Sequence, residues 1–253
     1  MGLIITSRNA RYQQWHALLG NRTKRHRAGE FVVQGVRPIS LAVEYGWEIR
    51  ALLYRRTGSL SGWARQMLDT VDAVRVGVAD ELLAELGELD VAPELVAIVG
   101  QRPDDPARLR PGLVVVFDRP GSPGNIGTLI RSADAFGASG MVVTGHAADI
   151  YDPRTVRAST GSLFSLPVVR LDRYPVEGLV VGLDERGSVE LSEVDLRGPL
   201  VLVVGNETHG MSAAWRAACQ VTARIPIGGA ASSLNAAAAG SIALYEVVRQ
   251  RRG

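Results

Sequence analysis

Four short apolar runs constrain this chain more than any other feature. Leu113–Phe117, Met141–Val143, Leu179–Leu183 and Leu200–Val204 contain almost no polar residue. A strand that is apolar on both faces must be covered on both, as parallel strands are inside an α/β sheet. Helical patterns lie between the runs: Ile126, Leu129, Ile130, Ala133 and Phe136 recur at the spacing of one helix face. The alternation predicts an open, mostly parallel α/β sheet for the second half of the chain. A last helix is expected over about Ser233–Arg251. Its small residues around Gly240 suit either a simple buried helix or the close approach of another helix or a second subunit.

The first half reads as a smaller, mixed α/β unit. Tyr12, Trp15, Leu18 and Leu19 share a helical face, and Phe31–Val33 and Leu52–Tyr54 read as strands. Pro38 suits the opening of a helix and Gly46 its end. Further strands are expected at Ala73–Val76 and Leu95–Val99, with helices near Leu60–Leu68 and Asp80–Leu86. Proline and charge concentrate in 101–112, which predicts a linker between domains at 1–100 and 113–253.

Formal net charge is only +2, so bulk charge does not identify a polyanionic partner. Its distribution is more informative. No Asp or Glu precedes Glu30, yet that stretch carries Arg8, Arg11, Arg22, Lys24, Arg25 and Arg27. Such a patch can displace counterions from phosphates. Together with Arg37, these residues (Arg27 aside) form the candidate phosphate-binding set; a solvated basic face is the alternative. Cys219 is the only cysteine, which excludes an internal disulfide and argues against a cysteine-built metal site; no metal is expected. No signal-peptide pattern opens the sequence, and no apolar run reaches spanning length. A cytoplasmic protein without membrane contact is expected.

Chemistry concentrates where strands end. After Leu113–Phe117 comes Gly121-Ser-Pro-Gly-Asn125-Ile-Gly-Thr128-Leu-Ile-Arg131. This is a glycine-rich turn into a helix, a form that receives anions. Asn125, Thr128 and Arg131 recur at helical spacing, consistent with either an amide and a guanidinium facing one substrate or a helix cap at Asn125. After Leu200–Val204 comes Gly205-Asn206-Glu207-Thr208-His209-Gly210. Ligands of open α/β sheets bind beyond such strand ends, which marks Glu207. A single loop histidine is more often incidental, and His209 is assigned no role. The third segment runs from Arg224 through Ile225, Ile227 and a small-residue loop to Ser232, Ser233, Leu234 and Asn235. Ser232 or Ser233 would cap the last helix, with Asn235 in its first turn. A nucleotide-dependent dehydrogenase is an alternative for a strand–glycine–helix unit, but the G-x-G-x-x-G fingerprint is absent.

In this order, the three segments resemble the signature motifs of the SpoU/TrmH group of the SPOUT methyltransferases. Tyr151–Val168 is similar to that family's middle segment. Ile5–Asn9 and Phe31–Arg37 are similar to its RNA substrate-binding domain. Two departures stand out: Ser122 where an aspartate is frequent, and Ala92-Pro93-Glu94-Leu95 in place of a His-Pro-Gln-Gly-like segment. The resemblance implies a C-terminal domain with a deep trefoil knot behind a ribosomal-protein-like α/β domain. It also implies an obligate homodimer whose active sites draw on both subunits.

S-adenosylmethionine would lie against Gly205, Asn206, Ile225 and Ile227, with Leu183, Val204 and Leu234 beside it. Arg131 would be the principal catalytic residue, supported by Asn125, Glu207, Ser233 and Asn235. A base role is proposed for that arginine in the family. A guanidinium that keeps its proton is better suited to clamping a phosphate and a developing alkoxide. The implied reaction is methylation of a ribose 2'-hydroxyl in structured RNA, ribosomal RNA being favoured over transfer RNA. Antibiotic self-protection is one purpose such enzymes serve. A non-catalytic RNA-binding protein is the reading of a different class.

Overall fold

The computed structural model describes residues 3–172 and 178–252. The chain divides into two compact units, Met1–Arg102 with Tyr151–Ser165, and Pro103–Ile150 with Leu166–Gly253.

The first unit runs β1 (Leu3–Ile5), α1 (Ala10–Gly20), α2 (Arg22–Ala28), β2 (Glu30–Gln34), α3 (Val36–Glu44), β3 (Ile49–Arg55), α4 (Gly62–Thr70), β4 (Val74–Val78), α5 (Asp80–Gly87) and β5 (Leu95–Gly100). Its sheet has the order β1-β4-β3-β5-β2. The first three strands are parallel, and β5 runs antiparallel to both β3 and β2. α1 starts at Asn9, whose side chain accepts the Tyr12 N–H at 3.0 Å. Tyr12, Trp15 and Leu18 then turn into a core with Ile5, Leu53, Val76, Leu83 and Ile98. α2 was not anticipated as a separate helix. Asn21 caps it and Gly29, at φ 62°, ends it in the left-handed region that glycine adopts without strain. α3 begins at Val36, two residues before the expected Pro38 start.

The second unit begins with β6 (Leu113–Asp118), α6 (Pro123–Ala135) and β7 (Gly140–Thr144). The chain then contributes α7 (Pro153–Ser159) and α8 (Ser162–Ser165) to the first unit. It returns with β8 (Val168–Arg170), β9 (Leu179–Leu183), β10 (Val189–Glu190), β11 (Leu200–Val204), α9 (Ala213–Ala218), β12 (Val221–Arg224) and α10 (Ala236–Arg252). The sheet order is β10-β12-β9-β11-β6-β7-β8, and every pairing is parallel. All residues of β6 and β11 are buried, as their apolar composition requires.

α10 shows why its sequence is so small. A Cβ on Gly240 would stand 2.6 Å from Leu129 Cδ1 and 3.2 Å from Val204 Cγ2. The glycine therefore lets α10 lie directly on α6 and β11, and Ser132 and Ser241 hydrogen-bond across that contact at 2.7 Å. Of the partners expected for this stripe, the structure supplies a helix of the same unit.

The expected domain limits differ from this division at 151–165, which sequence order had placed in the second domain. Phe31, Trp47, Tyr151 and Phe164 form one aromatic cluster, and the Trp47 indole donates to the Phe164 carbonyl at 3.0 Å. Residues 103–112 are not a free linker either, since Leu109 packs on the core of the second unit. Among the described residues no helix is long and apolar enough to cross a membrane. Nor, among them, do three or more His, Cys, Asp or Glu residues cluster as a metal site.

Candidate active site

Strands β9, β11 and β12 all end on one side of a cavity of about 510 Å³. Leu183, Val204, Gly205, Asn206, Ile225, Ile227 and Leu234, the residues expected to hold the cofactor, all line it. So do Glu207 and Ser233. Apolar side chains on several walls suit an aromatic base, and the rim formed by Asp184, Glu185, Arg186 and Arg216 suits a charged, hydroxyl-bearing tail. The residues present therefore fit S-adenosylmethionine.

The loop after β11 folds back tightly. Asn206 and Gly210 exchange backbone hydrogen bonds at 3.0 Å. A Cβ on Gly205 would come within 2.4 Å of the Met211 nitrogen, so only glycine fits there. Glu207 then reaches the loop after β6. Its carboxylate accepts from Gly121 N–H (2.9 Å), Ser122 N–H (3.2 Å) and the Asn125 amide (2.9 Å). Burial pushes this carboxyl up, but the N–H groups of Gly121 and Ser122 and the Asn125 amide more than offset it. The group is held ionised, below its usual range.

Asn125 in turn accepts from the Asn235 amide at 3.0 Å. Residues from three distant segments are thus joined in one chain of hydrogen bonds, Glu207–Asn125–Asn235.

Two capping expectations are corrected. Ser122, not Asn125, caps α6, accepting the Asn125 N–H at 3.3 Å with Pro123 next in the helix. Serine and aspartate are comparable caps, so Ser122 serves where an aspartate is frequent. Asn235, not Ser232 or Ser233, caps α10, its carbonyl oxygen accepting from Ala237 and Ala238.

Arg131 is not brought to the cavity. It lies on the exposed face of α6 with Thr128. Among the described residues it forms no hydrogen bond or ion pair. Within one chain, then, the guanidinium does not face the pocket.

The basic set is also sorted by the structure. Arg8, Arg11, Lys24 and Arg37 are exposed and Arg22 is half-buried. Arg8 pairs with Glu85, and Arg11 lies over the Trp15 ring at 5.4 Å. Arg25 must be removed from the RNA-facing set. Only 2% exposed, it donates to the carbonyls of Leu18 and Leu19 at 2.7 and 3.1 Å and lies 3.6 Å from Asp152. Its charge is used to satisfy the last carbonyls of α1.

Sequence reasoning missed several groups. Asp184 follows β9 and pairs with Arg216 at 2.6 Å. Burial raises this carboxyl, but the Arg186 N–H and Arg216 lower it further. The strand-end rule that marked Glu207 would have marked Asp184 as well. Asp118, buried at the end of β6, accepts from Thr144 (2.8 Å) and from the Ser212 N–H (2.6 Å). Arg119 adopts φ 53°, accepts the Asn206 amide on its carbonyl at 2.7 Å and donates to the Gly210 carbonyl at 3.1 Å. An acid closing an apolar strand was the available signal for Asp118. Nothing in the sequence marks the Arg119 backbone.

The comparisons with known proteins agree with this geometry. The model of the SpoU rRNA methylase family matches residues 112–245, and that of the SpoU L30e-like domain matches 9–97. The chain is 55% identical to the 23S rRNA (uridine(2479)-2'-O)-methyltransferase of Streptomyces viridochromogenes, over 98% of this chain and 92% of that protein. It superposes with a TM-score of 0.90 on the crystal structure of the SpoU methyltransferase AviRb of that organism with AdoMet, at 53% identity, covering 97% and 99% of the two chains. An AdoMet-bound rRNA methyltransferase from Sinorhizobium meliloti gives a TM-score of 0.85 at 30% identity, covering 97% of each chain.

Fold and site together define an S-adenosylmethionine-dependent RNA ribose 2'-O-methyltransferase. The chain belongs to the SpoU rRNA methylase family and carries that family's L30e-like domain in front.

Proposed function

We propose that this enzyme methylates the 2'-hydroxyl of a nucleotide in 23S ribosomal RNA, as a homodimer whose two sites each combine the cavity of one subunit with Arg131 of the other. The observation that carries this reading is the division of labour in the second unit. One chain lines the cavity, whereas Arg131 stands exposed and, among the described residues, without a hydrogen-bond or ion-pair partner. The relative's named substrate, a 23S rRNA uridine, supports the choice of RNA. A ribosomal substrate implies action in the cytoplasm.

When bound, S-adenosylmethionine supplies a methyl group activated by a sulfonium. The chain supplies position. Leu183, Ile225 and Leu234 enclose the cofactor's apolar surface, while Gly205 brings backbone close to it. The Glu207–Asn125–Asn235 network fixes the loops around the reacting centre. Arg131 holds the RNA phosphate and the oxygen that develops charge. Exposed Arg11, Arg22, Lys24 and Arg37 would contact RNA phosphates, with Arg8 bridging from its pair with Glu85. The trefoil knot implied by the resemblance belongs to the same reading.

The test is transfer of labelled methyl from S-adenosylmethionine to purified 23S rRNA, 16S rRNA and tRNA, followed by mapping of 2'-O-methyl positions. One modified 23S nucleotide is expected. Label confined to tRNA would move the substrate to the other RNA class, and no label on any RNA would refute the reading.

A further inference from the structure

The cavity holds a basic nitrogen that neither motif logic nor the network above employs. His209 lines the cavity, is exposed, and stands two residues after Glu207. Its Nδ1 lies 3.1 Å from the Asn206 side-chain oxygen.

The orientation of Asn206 is determined by its neighbours. Its oxygen accepts the backbone N–H groups of Thr208 (2.9 Å) and His209 (3.0 Å), while its amide nitrogen donates to the Arg119 carbonyl (2.7 Å). A flipped amide would place donor against donor at both backbone amides. The atom facing Nδ1 is therefore an acceptor, and Nδ1 must carry the proton. A neutral imidazole protonated on Nδ1 has its lone pair on Nε2.

From this we infer that His209 is the general base of the methyl transfer, accepting the ribose 2'-hydroxyl proton on Nε2. The inference rests on the ribose-methylation reading above. The ribose O–H bond breaks and its proton passes to Nε2. The oxygen's electron pair forms the new O–CH₃ bond. The pair of the broken methyl–sulfur bond stays on sulfur and discharges the sulfonium.

The competing groups serve less well. Glu207 is held ionised with both oxygens engaged by N–H donors. Both oxygens of Asp184 are taken, by the Arg186 N–H and by Arg216. A guanidinium does not give up its proton near neutral pH, so Arg131 acts as a clamp. The charged groups that line the cavity with His209 are Glu207 in its own loop, Asp184, Glu185 and Arg186 beyond β9, and Arg216 on α9; Arg119 accepts the Asn206 amide on its carbonyl.

Two measurements test this. In protein labelled with ¹⁵N-histidine, the resonances lost in His209→Gln should report a proton on Nδ1 facing Asn206; a ring protonated on Nε2 alone overturns the inference, and this readout needs no turnover. With RNA, H209Q should lower kcat about 10²-fold or more, and the profiles of kcat against pH for the wild type and the variant should differ in shape. Its S-adenosylmethionine affinity by calorimetry should stay within about twofold. Wild-type turnover matched by H209Q, with the same pH profile, overturns the inference alone. Absence of methyl transfer by the wild type overturns the underlying functional reading instead.

Discussion

Glu207 and Arg131 both belong to motif segments of the second unit, yet their surroundings are opposite. Both oxygens of Glu207 are engaged, and its donors come from two segments of the chain. Arg131 is exposed on α6 and, among the described residues, forms no hydrogen bond or ion pair. A preorganised cavity needs fixed dipoles, and a chain can build those alone. Arg131, three residues beyond the equally exposed Thr128, is left available to the RNA and the second subunit that the proposed function assigns to it. The contrast teaches that one chain fixes the loops beside the cavity and leaves the motif arginine unfixed, which is the arrangement a site shared between subunits requires.

The largest expected effect separates these two regions. Arg131→Ala should lower methyl transfer by about 10²–10³-fold, the scale of losing one transition-state donor. The same variant should keep its thermal stability and its S-adenosylmethionine affinity, because no described residue depends on Arg131. A comparable loss of cofactor affinity, read by calorimetry, would erase the distinction between cavity and outer face.

The same contrast recurs in the basic stretch of the first unit. Arg25→Ala should cost roughly 1–3 kcal/mol of stability in denaturant unfolding, since two helix-end carbonyls lose their buried donor, while Asp152 keeps Arg154. Lys24→Ala should leave stability unchanged, weaken RNA binding a few-fold and reduce the slope of log affinity against log salt by about one. Equal behaviour of the two variants would mean that burial does not sort this cluster.

Packing gives a smaller effect. Gly240→Leu should destabilise the enzyme by about 1–3 kcal/mol, because the new side chain meets Leu129 and Val204 where α10 lies on α6 and β11. An unchanged melting temperature would contradict that close approach.

The smallest effect is a pH dependence. The Glu207 carboxyl titrates below its ordinary value in the folded chain. Its stabilisation is therefore complete above the unfolded-state value and lost as pH falls through the folded-state one. The gap in melting temperature between the wild type and Glu207→Gln should narrow on acidification. A gap that widened towards low pH would reverse the assigned direction.

Much of this was legible in the sequence. The buried parallel strands were, because strands covered on both faces have to be apolar throughout. The cavity walls were, because ligand cavities of open α/β sheets form beyond the ends of such strands, where these residues fall. The chain's return to the first unit at 151–165 was not, since order along the chain carries no sign of the Phe31–Trp47–Tyr151–Phe164 cluster. Arg25 misled because a charged residue reads as a surface residue until the carbonyls it caps are seen. The caps of α6 and α10 were displaced by three and by two or three residues, where several polar side chains compete for one helix start. His209 was passed over because its tautomer is set by Asn206 and Arg119, which only the folded loop brings together.

If each site is shared between subunits, as proposed, two variants that are inactive for different reasons should complement one another. Arg131→Ala keeps its cavity, whereas Leu234→Arg blocks the cavity but keeps Arg131. Each should be inactive alone. Co-expressed or unfolded and refolded together, they should regain about a quarter of wild-type turnover, since half of the dimers are mixed and each mixed dimer holds one intact composite site. A mixture as inactive as its parents, with mixed dimers demonstrated by mass, would contradict the shared site.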